Sequence, residues 1–304
     1  MSRAVTCILA GMGFIVINDV ATKWMSGTHP VHEIVFIRSL IALPLTVFIL
    51  APREGAKLQI RTAHPYLNVS RGVLLAIANL GYFLGLAAMP LADAMSLFFV
   101  APLFITMLSV PMLGERVGLQ RWAAVCVGMF GVVLMLRPGS STMQWAALLP
   151  VVGAFAYALM QTLARRLGAK DRASTMAFYV QFTFLIIAAV IGLCIGDGRF
   201  SGSAHPSLDF LTRAWTIPTS TDMGLLLLCG VCVGFGGYFI TQAYRLGPAS
   251  VVAPFEYAAL PLAVVIGYFL WDESPDGIAL FGMLLIVGSG LYILQRERVR
   301  GVRS

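Results

Sequence analysis

The chain has 304 residues, of which 59% are apolar and 12% charged, and its mean hydropathy is +0.85. The charged fraction is roughly half that of a soluble domain, which excludes an ordinary aqueous globular protein. A net charge of +7 would suit a nucleic-acid binder, but the Lys and Arg residues fall in short connections between apolar segments, where they signal membrane topology and leave nucleic acid out as a partner.

The apolar residues gather in segments of about 20, each long enough at 1.5 Å per residue to cross a ~30 Å hydrocarbon layer. A transmembrane β-barrel would instead show alternating strands of about 10 residues. Ten helical spans are predicted, at 4–25, 31–50, 67–88, 92–112, 119–136, 144–164, 174–195, 224–244, 250–271 and 275–294. The first is read as a span and not as a secretory leader, because its apolar run continues to Lys23 with no small-residue cleavage site after a short core. Short connections make neighbouring helices antiparallel. The longer one, 196 to 223, contains Pro206, Pro218 and several Ser, Thr and Asp residues, as expected of an aqueous loop, with its LDFLTRAW portion along the interface as an amphipathic turn.

Basic residues such as Arg3, Arg53, Arg71, Arg121, Arg165, Arg245 and Arg298 fall on one side of this arrangement, whereas the other receives Lys23, Arg137, Arg199 and Arg213. The asymmetry predicts a multi-pass protein of the bacterial inner membrane with both termini cytoplasmic. The lipid bilayer is then a partner by construction, and the oligomeric state is not legible. Cys7, Cys126, Cys194, Cys229 and Cys232 lie in or beside apolar segments. The Cys229–Cys232 CxxC has no second ligand pair, and His29, His32, His64 and His205 fall in connections, so neither a metal site nor a cofactor is expected.

The two halves repeat. PVHEIVFIRSLIALPL at Pro30 matches RASTMAFYVQFTFLIIA at Arg172, setting Arg38 opposite Gln181. GYFLGLAAM at Gly81 matches GYFITQAYR at Gly237, LGER at Leu113 matches WDES at Trp271, and GVVLMLR ending at Arg137 matches GLYILQR ending at Arg296. Five spans per half is an odd number, so the second copy runs upside down. The expected fold is all-α, with ten transmembrane helices in two inverted five-helix repeats, residues 1–137 and 138–304.

Ionisable groups at mid-bilayer are costly and face a cavity or a partner. Asp19 and Arg38 share a depth in the first helical hairpin. Two readings are open: a structural ion pair with Lys23 at i+4 as support, or an Arg38 that binds an anionic group of the substrate while Asp19 releases it or takes up a proton. Asn18, Asn79, Tyr82 and Ser96 lie at comparable depth. In the second half Tyr157, Gln161, Tyr179, Gln181, Tyr238, Gln242 and Glu256 form a candidate counterpart on the other side, with interhelical hydrogen bonds as the plainer role. Glu256 sits between Pro254 and Pro261, whose missing donors free backbone carbonyls, and it reads as a proton- or substrate-handling group or as a static partner of Arg245 or a tyrosine. Glu115, Arg116 and Glu273 read as capping residues of the helices that follow them. Gly230 with Gly234, and Gly192 with Gly196, read as small packing surfaces.

NDVATKW from Asn18, FIRSLIALPL from Phe36, PLADAMSLFFVAPLF from Pro90 and QAYRLGPASVVAPFEY from Gln242, together with the LGER turn, resemble the EamA-type carriers of the drug/metabolite transporter superfamily over nearly the whole chain. Within it they are similar to a bacterial subgroup assigned to S-adenosylmethionine, riboflavin or carboxylate and amino-acid transport. The resemblance implies a carrier, with Asp19, Lys23, Arg38, Glu256 and Tyr257 as characteristic polar positions; WDES departs from the LGER pattern and puts an equal role for the two turns in doubt. The leading reading is a secondary carrier of a small polar or amphipathic metabolite working by alternating access. No Walker motif or nucleotide loop is present, which points to proton or exchange coupling. The alternatives are a membrane-embedded enzyme acting on lipid-linked substrates, whose interfacial Asp/His/Glu cluster is missing, and a scaffold, which leaves the intramembrane charges unexplained.

Overall fold

The structure, a computed structural model, describes residues 2–50, 52, 62, 64–114, 118–136, 145–167, 173–246 and 253–301. Regular structure among them is helical throughout, as fits a chain whose backbone polar groups must bond internally in lipid. In order come α1 (Ser2–Met25), α2 (Val31–Pro44, continuing as a π turn, Leu45–Leu50), α3 (Pro65–Leu86), α4 (Leu91–Phe98), α5 (Ala101–Leu113) and α6 (Leu119–Leu136). The 3-10 turn Trp145–Ala147 leads into α7 (Leu148–Leu167), followed by α8 (Ala173–Ile195), α9 (Pro206–Thr212) and α10 (Ser220–Leu246). A second 3-10 segment, Ala253–Ala258, opens α11 (Ala259–Trp271), and α12 (Gly277–Gly301) closes the chain. Among the described residues, seven stretches are long and apolar enough to cross a bilayer, and the helices at Trp122–Leu136, Phe255–Trp271 and Gly277–Tyr292 are apolar but shorter. Phe48, Leu193 and Phe269 are 72%, 88% and 77% exposed, as on a surface that meets acyl chains and not water. This is a multi-pass membrane protein.

The helices associate in pairs drawn from opposite halves of the chain. α1 lies on α10, α3 on α7, α6 on α12 and α2 on α8. Glycines set the first three contacts. A Cβ on Gly11 would fall 3.2 Å from the Gly236 carbonyl, one on Gly81 2.7 Å from the Leu149 carbonyl, and one on Gly131 2.8 Å from the Gly282 carbonyl. Without a hydrophobic drive between helices in lipid, such close backbone approach supplies the van der Waals contact. Gly230 and Gly234 admit Ile41 and Leu45 of α2, and Gly192 and Gly196 admit the Trp215 ring.

Two apolar helical stretches among the described residues are interrupted. Between α4 and α5 the chain turns at Phe99 and Val100, where the Val100 N–H bonds Leu97 at 3.4 Å, and Pro102 has no N–H for the next turn. The other break is the 3-10 segment that carries Glu256 and Tyr257.

The connection after α8 is not a plain aqueous loop. Ser207 Oγ donates to the Leu84 carbonyl at 2.6 Å, and Phe210 is buried, while Leu208 on the other face of α9 is exposed. Arg213 Nη1 donates to the Ser26 carbonyl at 3.0 Å, and the Trp215 N–H to Gly196 at 3.1 Å. Polar groups in this segment satisfy carbonyls at helix ends, so the short amphipathic helix α9 and the residues after it form a strap across one end of the bundle.

Candidate functional site

The first polar cluster is built from three helices. α1 supplies Asn18 and Asp19, α2 supplies Arg38, and α3 supplies Asn79 and Tyr82. Asp19 accepts from Asn18 Nδ2 and from the Tyr82 hydroxyl, both at 3.0 Å. Arg38 donates through Nη1 to Asn18 Oδ1 at 3.4 Å and through Nη2 to Asn79 Oδ1. Its guanidinium carbon lies 5.0 Å from the Phe83 ring centroid and 5.9 Å from that of Phe184. Asp19 and Arg38 therefore do not form the direct ion pair expected from their shared depth; Asn18 stands between them. Arg38 is 1% exposed, and its Nε has no hydrogen-bond partner. A guanidinium has five donors and no way to discharge, so here it is a buried cation held by amide oxygens and aromatic faces. An apolar cavity of about 90 Å³ between α2, α3 and α8 reaches Asn79 and Phe184, the residues that flank it.

An aromatic series leads from this cluster to a second. The Tyr82 ring lies 5.2 Å from Phe98, at the end of α4, and Phe98 lies 5.5 Å from Tyr157 of α7. The Tyr157 hydroxyl accepts from Gln161 Nε2 at 2.8 Å and is within electrostatic reach of Glu256 and Arg71. Tyr257 is buried with its ring edge-on to Phe99 at 5.4 Å and its hydroxyl against Gly290, where no side chain fits. The structure thus gathers Tyr157, Gln161, Glu256 and Tyr257. Tyr238 and Gln242 pair with each other along α10 at 3.0 Å. On α8, Tyr179 packs edge-on to Phe178, and Gln181 is buried with its Oε1 unpartnered. Ser96 bonds back to the Ala92 carbonyl at 2.6 Å, a helix-internal contact.

Arg71, which the charge asymmetry assigns to the basic side near the start of the third predicted span, is a buried part of this site. It is 8% exposed, donating to Asn68 Oδ1 at 3.4 Å and lying 3.9 Å from the Met160 sulfur. A signal existed: Arg71 and Tyr82 are three helical turns apart and so share a face of α3.

Lys23 does not support Asp19. Its Nζ lies 2.5 and 2.7 Å from the two Glu273 oxygens, donates to the Met89 carbonyl at 3.2 Å and sits 4.9 Å from the Trp271 ring centroid. Glu273 also accepts the Leu91 N–H at 3.1 Å, so it caps α4 in the other half of the chain and not the helix that follows it. That following helix, α12, is capped by Asp276, whose Oδ1 accepts the Ala279 N–H at 2.8 Å. Glu115 and Arg116 lie outside the described residues, as does the side chain of Arg245. Among the described residues no group of His, Cys, Asp and Glu is placed to hold a metal.

A bundle of lipid-facing helices that holds buried charges of both signs on several separate helices is what a membrane transport protein presents. Residues 2–137 and 144–295 each match the EamA-like transporter family, and the chain belongs to that family. It is 30% identical to a riboflavin transporter of Rhizobium johnstonii, covering 98% of this chain and 94% of that one. It is 27% identical to an S-adenosylmethionine uptake transporter of Rickettsia prowazekii (93% and 89% covered) and 31% identical to the pseudopaline exporter CntI of Pseudomonas aeruginosa (94% and 93% covered). A solved crystal structure, 20% identical, shares the fold with a TM-score of 0.63 over 98% of this chain and 99% of the other. The protein is a membrane transporter of small metabolites, and not an enzyme.

Proposed function

We propose that the protein is a secondary active carrier that moves a small polar or amphipathic metabolite across the bacterial inner membrane by alternating access, driven by a proton gradient or by exchange. The observation that carries the reading is Arg38, a buried cation with an unused donor and no carboxylate at ion-pair distance among the described residues. It is placed to receive an anionic group or a carbonyl oxygen of the substrate, with Asp19 and Tyr82 beside it. Glu256, at the broken crossing, is the coupling group.

Alternating access requires two equivalent halves. Ten crossings, in two inverted five-helix repeats divided near residue 137, are supported by the two matched stretches and by the helix pairing. Exchanging the halves turns the α1–α10 contact into the α7–α3 contact and returns α2–α8 and α6–α12 to themselves. With both termini cytoplasmic, the end bearing Lys23, Glu273 and the strap faces outward. Relatives named for uptake and for export belong to the same family, so flux in either direction is open to this scaffold.

The test is flux into proteoliposomes of riboflavin, S-adenosylmethionine and pseudopaline, with and without an imposed pH gradient. Gradient-driven movement of one of them is expected. Movement of none by a folded protein would count against this substrate class.

A further inference from the structure

We infer that His29, Glu33 and Asp222 form a proton-binding latch that holds the strap over the Lys23 end of the bundle. The group lies apart from the Arg38 and Glu256 clusters and joins the α1–α2 turn, α2, the first turn of α10 and the strap residue Thr216. His29 is 2% exposed and Glu33 1%. His29 Nδ1 lies 3.2 Å from Glu33 Oε1 and 2.9 Å from the Thr216 hydroxyl, while Nε2 lies 3.3 Å from Asp222 Oδ2. The second Glu33 oxygen accepts the Thr216 N–H at 3.2 Å. Asp222 also accepts from the Thr219 N–H at 3.1 Å and its hydroxyl at 2.6 Å.

Counting hydrogens sets the protonation state. An ionised carboxylate can only accept, so a ring nitrogen that faces one must carry a proton. With a carboxylate opposite each ring nitrogen, both contacts are attractive only in the imidazolium. A neutral ring gives its single N–H to one side and turns a lone pair on the other; at Nδ1 the Thr216 hydroxyl can donate to that lone pair, but the Glu33 oxygen beside it then faces it without a proton between them. A proton on Glu33 in place of the ring serves the same end, so the closed arrangement binds one proton in either case.

Losing it breaks the link to α2 or the link to α10, and Thr216 is tied to both His29 and Glu33. The other charged groups facing this region are engaged elsewhere. Arg213 bonds Asp209 and the Ser26 carbonyl, Lys23 bonds Glu273 with Asp93 in electrostatic reach, and His32 stacks on Trp215 at 6.0 Å. Proton uptake therefore tightens this end and proton release loosens it, while the Thr216 N–H stays on Glu33. The inference rests on the carrier reading for its consequence, a gate that responds to pH, but its test does not use transport.

Amide hydrogen exchange of the strap, residues 206–219, in the purified full-length protein is the test, followed from about pH 5 to about pH 8 and corrected for intrinsic exchange. Wild-type protection is expected to fall about tenfold as pH rises, the effect of losing one charge-assisted hydrogen bond. In Glu33→Gln the amide nitrogen donates to a neutral ring while its oxygen still accepts from Thr216, so protection stays high at the upper end. His29→Gln is expected to be flat across the range; if it does not fold, Glu33→Gln decides alone. Flat wild-type protection, or a Glu33→Gln profile that keeps the wild-type slope, overturns the latch.

Discussion

Lys23 and Glu273 are 250 residues apart in the chain and meet at 2.5 Å, tying the end of α1 to the turn between α11 and α12. Because Glu273 also holds the Leu91 N–H, the pair fixes three segments at one end of the bundle. Its side chains are only 9% and 23% exposed, so a lone partner is left poorly solvated. Lys23→Met and Glu273→Gln should each lower the thermal midpoint in detergent. The double variant should fall short of the sum, with a coupling of about 1–3 kcal/mol; strictly additive losses would mean the two do not act as a unit.

Arg38→Lys tests the geometry of the first cluster. Lysine keeps the charge but loses the planar fork that reaches Asn18 and Asn79 together. Substrate affinity should drop about tenfold or more, the worth of one charge-assisted hydrogen bond, while insertion and folding are kept. A lysine variant that binds as the wild type does would show that charge alone suffices.

Glu256→Gln removes the titratable group from the broken crossing and leaves its size. Flux measured with and without a pH gradient should lose its dependence on the gradient, with normal membrane insertion. Retained gradient dependence would take Glu256 out of the coupling role.

Gly81→Ala places a methyl 2.7 Å from a backbone carbonyl of α7, which cannot rotate away. Overpacking of this kind costs about 1–3 kcal/mol. Gly13→Ala is the control, since nothing lies within 4 Å of its new Cβ, and it should be neutral or stabilising by up to about 1 kcal/mol. Equal midpoints for the two would show that close approach of α3 and α7 is not needed.

The helical, membrane-spanning character was readable from residue spacing, because each apolar segment must bridge the hydrocarbon by itself. Asp19, Arg38, Asn79 and Tyr82 were readable as a group, since helices joined by short turns place residues of like depth together. Pairing was not. Sequence spacing made Lys23 a neighbour of Asp19, but at i+4 the lysine stem reaches Glu273 from the far half of the chain, a contact that exists only after the helices assemble. Arg71 read as a basic-side charge because it stands near a helix start, and its burial depends on where α7 packs. The strap was disguised by its polar composition, which serves to satisfy helix-end carbonyls.

Arg38 is proposed to receive the transported metabolite. The direct measurement is flux of riboflavin, S-adenosylmethionine and pseudopaline into proteoliposomes carrying equal amounts of folded wild-type and Arg38→Ala protein. The account predicts flux of at least one by the wild type and its loss in Arg38→Ala. Equal flux in the two, or no flux of any of the three by the wild type, would contradict it.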